Sequence, residues 1–474
     1  MPSVRAKIGA LTFVTPLIIG CALLMQGLEG TAVATALPAM ARGFGDSPIR
    51  LNLAISTYLL CVAVCIPVSG WIADRFGARN VFCAAMGLFV VSSMMCGLSQ
   101  TLPQLVAARA LQGVAGAMMT PVGRLVLLRT TPRTELVRAM AMLTVPAVLG
   151  PIVGPLLGGL IVQVSSWRWI FLLSAPVGVF GVFASLVFIP DIRGAAGRPL
   201  DLVGFLLAAS GVAALVIALG ELGQPGRATL VIGLFLAGVI CLAAYAGHQR
   251  RTEHPILDLA LLRIPTFGAA IIGGSFWRIA MATTPLLLVM LLQVGFGMSP
   301  LQSGAISFAG AAGALLMKGP ATPLLRRFGF RRVLVGNSAL TGLFAMSLGL
   351  LQPTTPHALI FGLLLISGFF RSLNYTSLSA LCYADMPERS LSSASALASM
   401  SQELSQSFGA ALAAVALQLV LSLRGAATVV AGDVSIAFVG VGALSFLGLP
   451  FFLKLHQDAG DSISGRAGVL APAE

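Results

Sequence analysis

Along the 474 residues, long apolar runs alternate with short polar breaks, and the runs fall near 11–35, 51–70, 81–99, 103–124, 138–162, 168–189, 202–221, 228–247, 266–292, 301–321, 333–352, 357–384, 394–422 and 434–454. A helix of about 20 apolar residues crosses the hydrocarbon core of a bilayer. It can do so because it satisfies its own backbone polar groups where no water is present. A closed membrane barrel would instead show segments of about ten residues with alternating polarity, a pattern this chain lacks. The expected fold class is therefore an all-α polytopic membrane protein with fourteen transmembrane helices.

Composition agrees with lipid as the solvent: 57% of residues are hydrophobic and only 9% carry a charge, against about 25% in soluble domains. The net charge of +13 does not mark a nucleic-acid partner, because the basic residues are scattered between apolar runs rather than gathered on one domain. They read instead as topogenic. With both termini on the cytoplasmic side, 21 of the 29 Lys and Arg fall at cytoplasmic ends and loops and five at outer ones. Arg109, Arg278 and Arg371 are left inside spans. A slip of one span would invert the bias of every later loop. The apolar start after Arg5 and Lys7, with no small-residue cleavage site following it, reads as an uncleaved first span. The seven cysteines lie in apolar stretches without metal-ligand spacing to histidine, so no metal site is expected. His248, His254, His357 and His456 fall in loops or at interfaces and read as solvated groups.

The loop after the second run contains Arg75-Phe-Gly77-Ala-Arg79, and the loop after the tenth contains Arg327-Phe-Gly329-Phe-Arg331, 252 residues later. Each copy follows the second helix of a set of six. This divides the chain into an N-terminal six-helix half (1–190), an inserted helix pair (201–247) and a C-terminal half with a short cytoplasmic tail (248–474). Two related halves around a midplane site are the plan of alternating-access transporters.

The motifs point to a family. The loop Gly70-Trp-Ile-Ala-Asp74-Arg75-Phe-Gly77-Ala-Arg79 resembles the signature loop of the major facilitator superfamily. That resemblance implies a conformational latch in which Asp74 and Arg75 form charge-assisted bonds between helix ends. The bland alternative is that the arginines serve topology alone. The second copy carries Arg326 where the acid would stand, so the latch is expected to be stronger in the first half. Span four contains Arg109-Ala-Leu-Gln112-Gly113-Val-Ala-Gly116, with the four named positions on one helical face. It resembles the superfamily motif whose arginine is associated with proton coupling; otherwise the arginine only pins neighbouring helices. Span five contains Gly150-Pro151-Ile-Val-Gly154-Pro155-Leu-Leu-Gly158-Gly159. The glycine stripe permits close helix approach, and the prolines remove backbone donors. This resembles the antiporter motif of the superfamily's exporters. Span one, Leu28-Glu29-Gly-Thr31-Ala-Val-Ala-Thr35-Ala36-Leu37-Pro38, resembles the first-helix motif of the fourteen-span drug:proton antiporters (QacA/EmrB type). Glu29 stands where aspartate is usual and Thr35 where asparagine is. The entry to span six, Trp167 to Gly178, matches the same subfamily, with Ser174 at an asparagine position.

Glu29 and Glu403 are the acids inside spans. A carboxyl group removed from water can load and release a proton as its surroundings change. Glu29, Arg109 and Glu403 are therefore the proton-coupling candidates. Glu403 shares a polar stripe with Ser399, Gln406 and Ser407, which reads either as a second proton or substrate site or as a packing group facing another helix. Candidate substrate-binding residues are Glu29, Gln112, Arg278, Arg371, Asn374, Tyr375 and Glu403. Asn374 and Tyr375 lie one turn from Arg371. Arg278 and Arg371 either favour an anionic ligand or pair with Glu403 or Glu29. The resemblance implies proton-coupled antiport of amphipathic compounds by alternating access. A small organic anion or metal–anion chelate of the citrate type is the alternative cargo. No phosphate-cradling loop or nucleophile–base set points to an enzyme, so energy comes from a proton gradient with no cofactor. The expected partners are a small-molecule substrate and membrane lipid. The expected location is the inner membrane, as a monomer with both termini cytoplasmic.

Overall fold

The computed structural model describes residues 2–45, 48–190, 199–221, 226–253, 255–298, 300–425 and 430–464. The described residues form helices and turns with no strand. In chain order the N-terminal set is α1 (Pro2–Phe44), α2 (Pro48–Cys65), α3 (Ala78–Leu98), α4 (Leu102–Thr130), α5 (Leu136–Val164) and α6 (Ser174–Phe188). Next come α7 (Leu202–Gly220) and α8 (Ala228–His248). The C-terminal set is α9 (Gly274–Val289), α10 (Pro300–Leu316), α11 (Ala321–Leu348), α12 (His357–Leu381), α13 (Leu391–Arg424) and α14 (Ala431–Leu444).

Among the described residues, 11 helices are long and apolar enough to cross a membrane. The expected spans 138–162, 301–321 and 333–352 are helices too, but fall outside that group. The α10 helix has only 17 residues, and α11 opens with Arg326, Arg327, Arg331 and Arg332, which dilute its apolar run. The expected figure of fourteen is thus not reached on length and composition alone. Large apolar side chains such as Phe180, Phe183, Leu206, Ile232 and Ile240 lie on the outside, as a hydrocarbon surrounding requires. The protein is a multi-pass membrane protein.

The repeat is visible in the backbone. Gly77 has φ 87° and Gly329 has φ 76°, so the shared Phe-Gly turn reverses the chain through a region that only glycine enters without strain. Small residues set the helix spacing. Were side chains built on Gly150 or Gly158 of α5, they would meet the Leu24 carbonyl at 2.7 Å and the Ala32 carbonyl at 2.9 Å on α1. The α5 helix runs without a break through the proline positions, although the side chains of Pro151 and Pro155 lie outside the described residues.

The inserted pair is peripheral. The α7 helix packs on α8, on α2 and on α13, whereas α8 has only 17% of its apolar window buried. His248 is not the solvated group expected. Its Nε2 lies 2.8 Å from Asp201 Oδ1, and Asp201 also accepts from the Gly204 amide at 2.8 Å, so one carboxylate caps α7 and ties it to the end of α8. His254 lies outside the described residues.

Candidate functional site

Glu29 of α1 is 1% exposed. Its Oε1 accepts from Gln112 Nε2 of α4 at 2.7 Å and from Ser93 Oγ of α3 at 2.7 Å. Ser93 lies 2.8 Å from Ser174 Oγ, which donates to the Phe171 carbonyl at 2.6 Å. The serine at the usual asparagine position thus completes the cradle. Glu29 Oε2 finds no hydrogen-bond partner among the described residues. An oxygen left in this way is where a proton or a substrate group can be taken up without displacing a protein ligand.

Arg109 does not touch Glu29 directly. Its Nη1 donates to Gln112 Oε1 and its Nε to the Ala54 carbonyl of α2 at 3.3 Å. The guanidinium lies 4.3 Å from the centre of the Tyr58 ring, a cation–π contact strengthened by exclusion of water. Tyr58 Oη accepts from Gln26 Nε2 at 2.8 Å, and Thr120 Oγ1 donates to Gln26 Oε1 at 3.3 Å. A chain of contacts therefore runs Glu29–Gln112–Arg109–Tyr58–Gln26–Thr120, hydrogen-bonded throughout except where the Arg109 guanidinium lies over the Tyr58 ring. It is held by close packing: a side chain on Gly113 would meet the Tyr58 carbonyl at 2.6 Å, and one on Gly116 would meet Tyr58 Oη at 3.0 Å. Sequence reasoning placed Glu29, Arg109 and Gln112 but missed Ser93, Tyr58 and Gln26. Only Gln26 left a signal, standing three residues before Glu29 on the same face of α1.

In the C-terminal set, Arg278 of α9 is 5% exposed. Its Nη2 reaches back to the Ala270 carbonyl at 3.4 Å, and its Nη1 has no partner among the described residues. Arg371 of α12 faces α10, its Nη2 standing 3.9 Å from where a side chain on Gly310 would begin. Neither arginine pairs with Glu29 or Glu403, so that expectation is corrected: the acids lie against other helices. Asn374 also departs from its expected place. It is fully buried, donates to Ser338 Oγ at 2.9 Å and accepts from Asn337 Nδ2 at 3.2 Å, both on α11. Its side chain is thus bonded to α11, whereas Arg371 stands against α10. The Tyr375 ring stands edge-on to Trp277 at 4.9 Å.

Glu403 of α13 lines a small cavity with Leu59, Ala63 and Ile66 of the α2 segment and Val212 and Val216 of α7. It shares that cavity with Ser407, while Gln406 is exposed and Ser399 buried. Its stripe thus meets other helices only in part. The Arg124 charge acts on Glu403, and Glu403 and Glu29 both act on Tyr58.

The two sets meet at the end of the bundle that carries the signature loop. Asp74 Oδ1 accepts from Arg129 Nη2 at 2.6 Å, and Oδ2 accepts from Ser392 Oγ at the start of α13. A side chain on Gly70 would meet the Ser392 carbonyl at 2.9 Å, which explains a glycine there. The cation bonded to Asp74 is Arg129, not Arg75. Arg75 is exposed and stands over the Trp71 ring at 5.6 Å. Arg79 Nη1 donates to the Ile189 carbonyl past the end of α6 at 3.3 Å. Further bonds close the same end: Arg124 to Gln402 at 2.6 Å, Ser395 to the Pro121 carbonyl at 2.7 Å, Arg133 to the Met386 carbonyl at 3.2 Å and Lys318 to Thr144 at 2.8 Å.

Charge-assisted bonds contribute about 1.5–3 kcal/mol each. Asp74→Asn is expected to shift the population away from this closed end by roughly 10-fold or more, since about 1.4 kcal/mol is one decade. Faster hydrogen–deuterium exchange over residues 391–400 is the readout. Unchanged exchange would show that the aspartate holds nothing shut.

Comparison with known proteins places the whole arrangement. The profile of the Major Facilitator Superfamily matches residues 19–410. Proteins that carry the multidrug-resistance name MdtD are 39% identical over 404 residues in Salmonella dublin, covering 84% of this chain and 85% of theirs. In Escherichia coli O9:H4 (strain HS) the MdtD protein is 40% identical over 406 residues, covering 85% of each chain. Among solved structures, the proton:xylose symporter XylE superposes with a TM-score of 0.67 at 13% identity, over 98% of this chain and 100% of that one. The human organic anion transporter MFSD10 (TETRAN) gives 0.61 at 17% identity, over 94% and 97%. At those identities the structural likeness speaks for the fold alone. The chain belongs to the major facilitator superfamily and, within it, to the MdtD-like proteins.

Proposed function

We propose that this protein exports amphipathic compounds from the cell in exchange for protons, by alternating access, across the inner membrane. The observation that carries the reading is the seat of Glu29. A carboxyl group closed off from solvent, with one oxygen held by Gln112 and Ser93 and the other unpartnered, is poised to alternate between protonated and charged forms. Arg109 stands one amide behind it, so a change of charge on Glu29 is felt along that chain of contacts. The multidrug-resistance names of the 39–40% identical relatives support an amphipathic cargo. With both termini cytoplasmic, the closed end is the cytoplasmic one, and the two halves then rock between this outward-facing form and its opposite. The test is gradient-driven transport in proteoliposomes. Ethidium moving against an imposed proton gradient supports the reading, and failure of a folded protein to move it in either direction removes it.

A second reading, export of a small organic anion, is favoured by one observation: Nη1 of the buried Arg278 guanidinium has no hydrogen-bond partner among the described residues. A fixed cation out of water needs a counter-charge, and an anionic cargo would supply it. Arg278→Gln is then expected to abolish gradient-driven citrate movement while leaving ethidium movement within about two-fold of the parent, since only the anion uses that charge-assisted bond. Equal loss of both cargoes would make Arg278 a structural group.

A further inference from the structure

On the edge of the bundle away from α7 and α8, a cavity of about 530 Å³ opens between the two halves at the closed end. Its size falls in the range of clefts that take small ligands, about 300–1,000 Å³. Thr134, in the turn before α5, and Arg138, in its first turn, form one wall; Lys318, from the turn between α10 and α11, and Arg326, near the start of α11, form the other. Met142 and Val145 of α5 line the part farther into the membrane. We propose that this cavity binds the phosphate headgroup of an anionic phospholipid from the surrounding leaflet, with an acyl chain lying against Met142 and Val145.

Three features support a phospholipid. The first is charge: among the described residues the lining holds Arg138, Lys318 and Arg326 and one carboxylate, Glu135, which stands 3.9 Å from Arg138, and the cation that meets the ligand is Lys318. Lys318 donates to Thr144 Oγ1 at 2.8 Å and to Thr376 Oγ1 at 3.1 Å and has no carboxylate partner among the described residues. An ammonium has three donors, so one remains for a ligand oxygen. The second is polarity along the membrane normal. Arg138, Met142 and Val145 follow at four- and three-residue steps, so they share one face of α5. That face passes from charged to apolar within about 10 Å, at 1.5 Å of rise per residue. A free phosphate would use the rim and leave the apolar wall empty, whereas a phospholipid uses both. The third is exposure: the Arg138 side chain is 53% exposed at the mouth, where leaflet headgroups can reach it. Because α5 and α10 belong to different halves, a headgroup bound there touches both sides of the closed end and favours this conformation over the one in which the walls part.

The test is native mass spectrometry of the detergent-purified full chain with phosphatidylglycerol or phosphatidylethanolamine of identical acyl chains. The parent is expected to prefer phosphatidylglycerol. Lys318→Gln should lower that preference about five-fold, the effect of about one basic residue at an anionic surface. Lys318→Arg should keep it. If Lys318→Gln does not fold, Arg138→Gln at the exposed rim should give a similar loss. Arg250→Gln together with Arg251→Gln, at the end of the inserted pair, should leave the preference unchanged. Equal binding of the two lipids overturns the proposal, as does an equal loss in the Arg250/Arg251 variant. Displacement of the lipid by millimolar inorganic phosphate or glycerol phosphate also overturns it, since the cavity would then read a free anion.

Discussion

Glu29→Gln is expected to reduce proton-gradient-driven ethidium transport to that of protein-free liposomes while leaving the fold intact. The side chains are nearly the same shape, and the amide oxygen can still accept from Gln112 and Ser93, the two donors on Oε1. What disappears is the charge and the exchangeable proton. The oxygen without a partner is replaced by an NH2 group, and removing a charge from a nearly dry site relieves desolvation. The unfolding temperature should therefore hold or rise as transport falls. That opposition separates coupling from stability: transport lost together with several degrees of stability would make Glu29 a packing group. Gradient-driven transport that survives in the variant would move the proton site to Glu403.

The second large effect is expected at the contact of α1 with α5. A methyl group on Gly154 would fall 2.8 Å from the Leu28 carbonyl and into the Thr31 hydroxyl, beside Glu29. Backbone cannot yield as a side-chain tip can, so Gly154→Ala must part the two helices. Overpacking of this kind costs about 1–3 kcal/mol. Gly159 belongs to the same motif, yet nothing stands within 4 Å of where its side chain would begin. Gly159→Ala should leave both unfolding temperature and transport near the parent's, whereas Gly154→Ala should lower both. Equal effects of the two substitutions would mean that the stripe acts through helix flexibility rather than through the seat of α1.

These predictions also mark where the sequence was legible. Glu29, Arg109 and Gln112 announce themselves because charge or amide in a twenty-residue apolar run is expensive and needs a reason. Ser93 and Tyr58 do not: a serine hydroxyl can satisfy itself on its own helix, and a tyrosine is mostly an apolar ring, so neither carries such a signal alone in a span. The Arg-Phe-Gly-x-Arg repeat marked the loop after the second helix of each set, and the structure adds that Gly77 and Gly329 both take a positive φ there. It did not foretell that Arg129, 54 residues beyond Arg75, holds Asp74, since the pairing depends on where α4 ends relative to the loop. Asn374 shows the opposite error. Spacing put it one turn from Arg371, but a full helical turn still leaves room for one side chain to point at α10 and the other at α11.

The place of α7 has a mechanical consequence. It packs on α2 of one half and α13 of the other, so it belongs to neither alone. Where Val212 and Val216 meet Leu59, Ala63, Ile66, Met400 and Leu404, the surfaces beside Glu403 are apolar. Such surfaces have no hydrogen bonds to break when they slip, and sliding of packed helices is an established mode of domain motion. In the alternating-access cycle proposed above, α7 would act as a greased bearing on which α2 and α13 shear past one another.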